Sequence, residues 1–339
     1  MSTIKDIAKI AGVSVTTVSR ALNGYSDVNE NTRKKIKQIA VDLNYSPNVL
    51  ARSLVTNKTK TIGLLVSGMK MESIKDNFTY EILCGINDTT ANLDYDLIFF
   101  STSTSNQKVK SYAQLCRERK VDGVIIQGIK TDDPYLQEVI DSEIPCVLVD
   151  IPIEGSSVGY VTTDNVLGAK NITNYLLKLG HRHIGMVNGH NRAFVSQQRL
   201  EGYRIALTEA NLTFNWSYVV NGAFDEDEAY KSARKLLIDL PELTAIICAS
   251  DLMALGVLKA AKELGVSVPE ELSVTGYDDI TLASYVTPKL TTVAQNKYLM
   301  GQKATELVVA MLQGDTGERK IILDTELKVR ESTAKVRGE

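Results

Sequence analysis

A glycine set between two short amphipathic segments constrains the start of this chain most. Ile4, Ile7, Ala8 and Ala11 share one helical face. Gly12 permits a sharp turn because positive φ costs it little, and Ser14 can cap a second helix whose inner face is Val18, Ala21 and Leu22. Thr3 can cap the first helix, with Asp6 three positions on reaching back to the free amides. Asn23-Gly24 ends the second helix. Asn29 can open a third, in which Ile36, Ile39, Ala40 and Leu43 follow the i, i+3, i+4, i+7 spacing. The pattern predicts a small helical unit. Val15, Thr16, Ser19 and Arg20 lie on the outer side of its second helix, and Arg33, Lys34, Lys35 and Lys37 on that of its third.

A helix with short polar residues in its first turn can reach base edges in the major groove. Val15 and Thr16 would meet thymine methyls or other edges. Arg20 suits guanine or a phosphate, and Thr17, Ser19 and Tyr45 suit phosphate oxygens. The chain's net charge of −3 argues against nucleic acid, but its distribution argues for it. Residues 1–60 carry ten Lys/Arg against four Asp/Glu, and the rest of the chain is acidic. A basic head on an acidic body binds phosphates locally while the body stays off the duplex. After this unit Pro47 stops helix propagation and Asn48 can cap a new, short helix over Val49–Leu54, one too short to be stable alone.

Beyond a polar, basic connector at 55–60, apolar runs alternate with amphipathic stretches. Candidate strands are 61–66, 97–101, 123–127, 146–149, 184–188, 245–249, 272–276 and 290–293. Candidate helices are 80–91, 107–119, 165–178, 198–210, 227–238, 253–264 and 298–312. The alternation predicts parallel sheets covered on both faces, and it is too long for one sheet, so two α/β lobes are expected. In open parallel sheets ligands sit beyond the carboxyl ends of strands. Ser67, Asp150, Asn188, Ser250, Asp251 and Asp278 fall at those ends.

The 339 residues leave room for two or three domains. No apolar run approaches the ~18 residues of a membrane helix, and the first residues form no apolar signal region. Cys84, Cys116, Cys146 and Cys248 lie far apart and read as reduced thiols of a cytoplasmic protein. His181, His183 and His190 have no obvious companions for a metal, and no phosphate loop or nucleophile elbow is present. No catalytic residue, metal site or cofactor is expected, which disfavours an enzyme. A solute-binding protein for transport would need an export signal and no headpiece.

The run from Thr3 to Leu54 resembles the headpiece of the LacI/GalR family of bacterial repressors. It carries Ile-Lys-Asp-Ile-Ala, Gly-Val-Ser, Thr-Val-Ser-Arg and Asn-Tyr-Ser-Pro-Asn followed by Ala-Arg-Ser-Leu, in that order. The body is similar too, through Val161-Thr162-Thr163-Asp164-Asn165, Arg199-Leu200-Glu201-Gly202-Tyr203, Ala249-Ser250-Asp251 and Gly276-Tyr277-Asp278-Asp279. The resemblance implies an N-terminal all-α helix-turn-helix headpiece (1–46) and a hinge helix with linker (47–60). It also implies a two-lobed, periplasmic-binding-protein-like α/β core of parallel sheets (61–339). The N-lobe would be 61–161 and 294–322, the C-lobe 162–293 and 323–331.

The resemblance further implies that Val15, Thr16 and Arg20 read bases and that the hinge helices of a homodimer pair on a pseudo-palindromic, double-stranded operator. Ala51 would allow their close approach, and Leu54 would wedge into the minor groove. Asp150, Arg199, Phe224, Ser250, Asp251 and Asp278 would line an effector cleft suited to a small sugar, whose release of the repressor is the expected response. Carboxylates accept hydroxyl hydrogens, arginine donates in a planar fork, and an aromatic ring covers an apolar face. Asp251 also stands where a helix cap would. Ala193 and Val195 replace the polar or basic groups of a purine-responsive branch, which favours a sugar over a purine-type corepressor. Three departures stand out. Ser250 replaces a common Asn, and the stretch 68–77 is atypical. The helix at 298–312 offers Glu306 and Ala310 where a phosphocarrier protein would need basic residues, so that partner is not expected. With no leucine heptad tail after Leu327-Lys328-Val329-Arg330, a dimer is expected rather than a tetramer.

Overall fold

The computed structural model describes residues 2–45, 58–67, 75–101, 110–130 and 132–336, and it divides into two compact units between Thr59 and Lys60. The first unit holds helices α1 (Ile4–Ala11), α2 (Val15–Leu22) and α3 (Glu30–Asp42). At the start of α1, the Thr3 backbone N–H and hydroxyl donate to one oxygen of Asp6 at 2.8 and 2.7 Å. Gly12 ends the helix at φ +72° and returns its N–H to Ala8 O. Ser14 Oγ caps α2 by accepting the Thr17 N–H at 3.0 Å. Ile7, Val18, Ala21 and Ile36 are fully buried where the three helices meet.

Two cations expected on the outer face of α3, the half-buried Arg33 and the exposed Lys35, also bond back onto the unit. Arg33 donates to the carbonyls of Tyr25 (2.7 Å) and Val28 (3.3 Å), and Lys35 donates to Ala11 O at the end of α1 (3.1 Å). Both brace carbonyls at a turn or a helix end, where the helical hydrogen-bond ladder is incomplete. Periodicity alone could not distinguish this use from solvation. The expected hinge helix, with Ala51 and Leu54, lies outside the described residues.

The second unit contains two lobes. In the first lobe, β1 (Thr61–Val66), β2 (Asp96–Ser101), β3 (Gly123–Gln127), β4 (Cys146–Val149), β5 (Val158–Thr163) and β11 (Lys320–Leu323) form a parallel sheet in the order β11-β5-β4-β3-β1-β2. Strand alternation feeds two cores. Ile62, Leu64 and Val66 join α4 (Phe78–Asn92) and α11 (Lys297–Leu312) on one face. Leu65, Val124 and Ile126 join α5 (Tyr112–Arg119) and α6 (Pro134–Asp141) on the other. Helices α4 and α11 cross at two glycines. A Cβ on Gly85 would sit 2.1 Å from Tyr298 O, and one on Gly301 would sit 2.1 Å from Ile82 O.

The second lobe's sheet runs β12-β10-β9-β8-β6-β7. Its strands are β6 (Ile184–Asn188), β7 (Val219–Asn221), β8 (Ala245–Cys248), β9 (Ser273–Asp278), β10 (Thr291–Gln295) and β12 (Thr325–Lys328). Only β12 is antiparallel to its neighbour among the described strands. Its helices are α7 (Asn165–Lys178), α8 (Phe194–Glu209), α9 (Glu226–Asp239) and α10 (Asp251–Leu264). The chain passes between lobes at Asp164, Asn296 and Asp324, each a single residue between elements, and two of these also cap α7 and α11. Thr163 Oγ1 donates to Gln295 Oε1 at 2.6 Å, and the Asp164 N–H donates to Leu323 O at 3.1 Å, so the three passages lie side by side.

Candidate functional site

On the first unit, Val15 and Thr16 are exposed at the start of α2. Thr17 is partly committed locally, its hydroxyl 2.8 Å from that of Ser14. Ser19 Oγ accepts from Asn23 at 3.4 Å. Tyr45 packs against the helical core and is half-buried. Arg20 extends from the last turn of α2 to Asp27 and lies over the ring of Tyr25. Exposed apolar and small polar groups beside an arginine provide what base edges and phosphates require.

On the second unit, strand ends from both lobes converge on a cavity of about 230 Å³. Gln127 ends β3 and Asp150 follows β4. Ser250 follows β8 and Asp278 ends β9, while Arg199 projects from α8. Thus Asp150, Arg199, Phe224, Ser250 and Asp278 come together. Asp251 does not line the cavity. Thr292 Oγ1 donates to one of its oxygens at 2.5 Å and the Ile280 N–H to the other at 2.8 Å. Burial pushes its carboxyl well above the ordinary range, with Asp278 adding to the shift. Asp251 therefore ties α10 to β10 and to the segment after β9, and the cap of α10 is Ser250, whose Oγ accepts the Met253 N–H.

Arg199 is 3% exposed and held on several sides. Its Nε donates to Asn165 Oδ1 at 2.8 Å, one terminal nitrogen donates to Ala249 O, and the other lies 3.6 Å from Asp278 Oδ1. Gln295 donates to the same Asp278 oxygen at 2.6 Å. Burial raises the Asp278 carboxyl to about 7, against the pull of the Arg199 charge. Asp150 is raised for the same reason, opposed by Arg199 and by the hydroxyl of Thr162, which donates at 2.8 Å. Lys297 is buried below, donating to the carbonyls of Asp278 and Asp279.

Three cavity residues hold the left-handed backbone that side chains rarely adopt, namely Asp150 (φ 62°), Phe224 (φ 56°) and Asp278 (φ 108°). Such strain persists where surrounding structure fixes a side chain for use. Phe224 lies against Gly189, where an added Cβ would be 2.1 Å from its ring, and meets the His190 ring edge-on at 5.5 Å.

Sequence reasoning missed Asp76, Gln127 and His190 as cavity residues. Among the described residues Gln127 Oε1 and His190 Nδ1 are buried without a hydrogen-bond partner, and burial lowers the His190 pKa. A glutamine closing the apolar run Gly123-Val124-Ile125-Ile126 was the available signal. The other histidines are structural: His181 bridges Thr244 Oγ1 and Ala334 O, and His183 meets the Tyr218 hydroxyl. Among the described residues no group of three His, Cys, Asp or Glu could hold a metal ion, and no helix is long and apolar enough to cross a membrane.

Residues 3–48 match the family described as bacterial regulatory proteins, lacI family, and residues 173–333 match the periplasmic binding protein-like domain. The chain is 34% identical, over 98% of its length and 98% of the relative's, to the HTH-type transcriptional repressor PurR of Photobacterium profundum. The chain belongs to the LacI family. Among solved LacI-type structures, a CelR–cellobiose complex is 31% identical with a TM-score of 0.75, covering 98% of this chain and 100% of that one. A lac repressor dimer bound to operator and the anti-inducer ONPF is 25% identical with a TM-score of 0.80, covering 98% and 99%. This LacI-family protein is a DNA-binding transcriptional repressor with a helix-turn-helix region and a two-lobed α/β core, and its relatives are repressors, not enzymes. Operator DNA and a small-molecule effector are its partners.

Proposed function

We propose that the cavity binds a small, uncharged carbohydrate and that its occupancy releases a homodimer of the chain from a pseudo-palindromic operator. The observation that carries this reading is the arrangement around Arg199. A fixed donor fork lies beside Asp278, Asp150 stands nearby as a second acceptor, and Phe224 supplies an apolar wall. Alternating hydroxyl donors and acceptors on one flat-faced ring match that set. At about 230 Å³ the cavity is below the ~300–1,000 Å³ of common ligand pockets, which suits one sugar ring better than a longer chain. The CelR relative's complex with cellobiose supports a carbohydrate.

The PurR relatives favour a second reading, in which a purine acts as corepressor and strengthens operator binding. Ala193 and Val195 weigh against it, because both put apolar groups on the cavity wall where a purine ring's edge nitrogens would need partners. Val15, Thr16 and Arg20 would contact bases, and Thr17, Ser19 and Tyr45 phosphates. Ala51 and Leu54 would serve the paired hinge helices. A ligand switches the protein only as far as its affinities for the two states differ.

The deciding experiment is a thermal-shift screen of monosaccharides, disaccharides, hypoxanthine and guanine on the full chain, followed by operator binding with each hit. A monosaccharide that raises the melting temperature and weakens operator binding supports the proposal. A purine base that strengthens operator binding replaces it with the second reading.

A further inference from the structure

In the DNA-reading unit, the side chain of Arg20 is not free in solvent. Its Nε donates to Asp27 Oδ2 at 2.8 Å, and one terminal nitrogen lies 2.8 Å from the same oxygen. Its guanidinium carbon sits 4.6 Å from the centroid of the Tyr25 ring. Both partners come from the turn after α2, and that turn is itself braced. The Tyr25 N–H bonds to Arg20 O, and Arg33 on α3 donates to the carbonyls of Tyr25 and Val28 on either side of Asp27. A chain of contacts therefore runs from α3 through the turn to the guanidinium.

The geometry of the clamp determines what remains. Arginine has five N–H donors in a rigid fork. Asp27 takes the edge formed by Nε and one terminal nitrogen, and Tyr25 covers one face. Among the described residues no partner takes the end-on edge, with an N–H from each terminal nitrogen. That edge makes the bidentate contact to guanine O6 and N7.

We propose that Asp27 and Tyr25 are specificity-determining residues, which fix the plane and direction of the Arg20 guanidinium so that its end-on edge reads one guanine in each half-site. The inference rests on the reading of Arg20 as a base-contacting residue. Two physical effects drive it. Asp27 and Tyr25 would hold the long side chain in place before DNA arrives, so less rotamer freedom would be lost when the guanine contact forms. The carboxylate also adds a negative charge beside the duplex, which weakens attraction to every sequence alike. The guanine contact offsets that repulsion only at the correct base, so the pair raises discrimination more than affinity.

The test is selection of binding sites from a random duplex library by the full chain and by Arg20→Ala, Asp27→Ala and Tyr25→Leu variants. Affinity for a fixed non-selected duplex is measured alongside. The wild-type sites should contain a guanine that Arg20→Ala erases. Asp27→Ala should keep or tighten binding to the non-selected duplex while its preference for that guanine falls about tenfold. Tyr25→Leu should weaken the preference in the same direction, and Asp27→Glu should restore part of it. If Asp27→Ala keeps the full preference, the inference is overturned. If it binds selected sites more tightly with the preference intact, Asp27 merely masks Arg20, which also overturns it. Should Arg20→Ala leave the selected sequence unchanged, the base-reading assignment fails first and this inference with it. Asp27 and Arg20 are both about half exposed, so Asp27→Ala should fold, and an unchanged helical circular dichroism melt checks that.

Discussion

The guanidinium carbon of Arg199 lies 3.7 Å from the centroid of the Tyr277 ring, so a buried cation is stacked and hydrogen-bonded at once. Lysine can reproduce the charge but neither the planar fork nor the stack. Arg199→Lys should therefore cost about 1–3 kcal/mol of stability, read as a shifted denaturant midpoint. It should keep operator affinity while losing the response to effector. A variant with a normal effector response would remove Arg199 from the binding site.

Asp278 predicts a pH dependence with a definite sign. Its carboxyl is raised from an ordinary value of 3.8 to about 7, so the folded chain retains a proton that the unfolded chain releases. That contribution to stability is complete below about pH 4 and is lost as the pH rises through about 7. Asp278→Asn fixes the neutral form. Between pH 6 and 8 the wild-type melting temperature should fall relative to that of the variant. Parallel curves across this range would contradict the assignment.

Asp251 and Asp150 separate structure from binding. Asp251→Ala removes the partner of Thr292 and of the Ile280 N–H, and should destabilise the chain by about 2 kcal/mol. Effector affinity of the folded fraction should be unchanged by calorimetric titration. Asp150→Ala should show the reverse pattern, with a large loss of affinity.

The crossing of α4 and α11 has no room for a methyl group. Gly85→Ala would place a Cβ against the backbone at Tyr298, and backbone cannot move aside cheaply. The substitution should destabilise the chain by about 1–3 kcal/mol, measured by urea denaturation. A neutral result would mean that the two helices can separate freely.

Leu54, in the proposed hinge, gives a test on the DNA side. Leu54→Ala should abolish operator bending, measured by energy transfer between dyes at the duplex ends, and should weaken specific binding. Unchanged bending would refute the wedge.

The helical unit was legible because its signals are local. Gly12 adopts the positive φ expected of it, and Ile36 and Ala40 are buried at the predicted spacing. The long alternation in the core was legible for the same reason, with β3 and α7 matching their apolar runs in full. Short edge elements were not, and neither was the buried six-residue β5. β7 spans Val219–Asn221 and is half exposed, and α6 was missed entirely. Asp150 and Asp278 could be placed at the cavity from their positions after strands. Asp251 follows β8 in the same way, and only the tertiary positions of Thr292 and Ile280 distinguish it. Gln127 offered one local signal, a polar residue closing the apolar run of β3, whereas His190 has no local pattern and became visible as a cavity residue only once two lobes faced each other.

Each passage between the lobes is one residue long, and the three are stitched together by the Thr163–Gln295 and Asp164–Leu323 hydrogen bonds. Torsion at Asp164, Asn296 and Asp324 must then be shared, because none of the three can turn alone without tearing a neighbour away. Bending of the halves of the core along a common line would leave both bonds in place, while twisting would strain them. A small molecule lodged off that line would act with leverage, so that a slight closing of its walls would become a larger displacement farther from the passages.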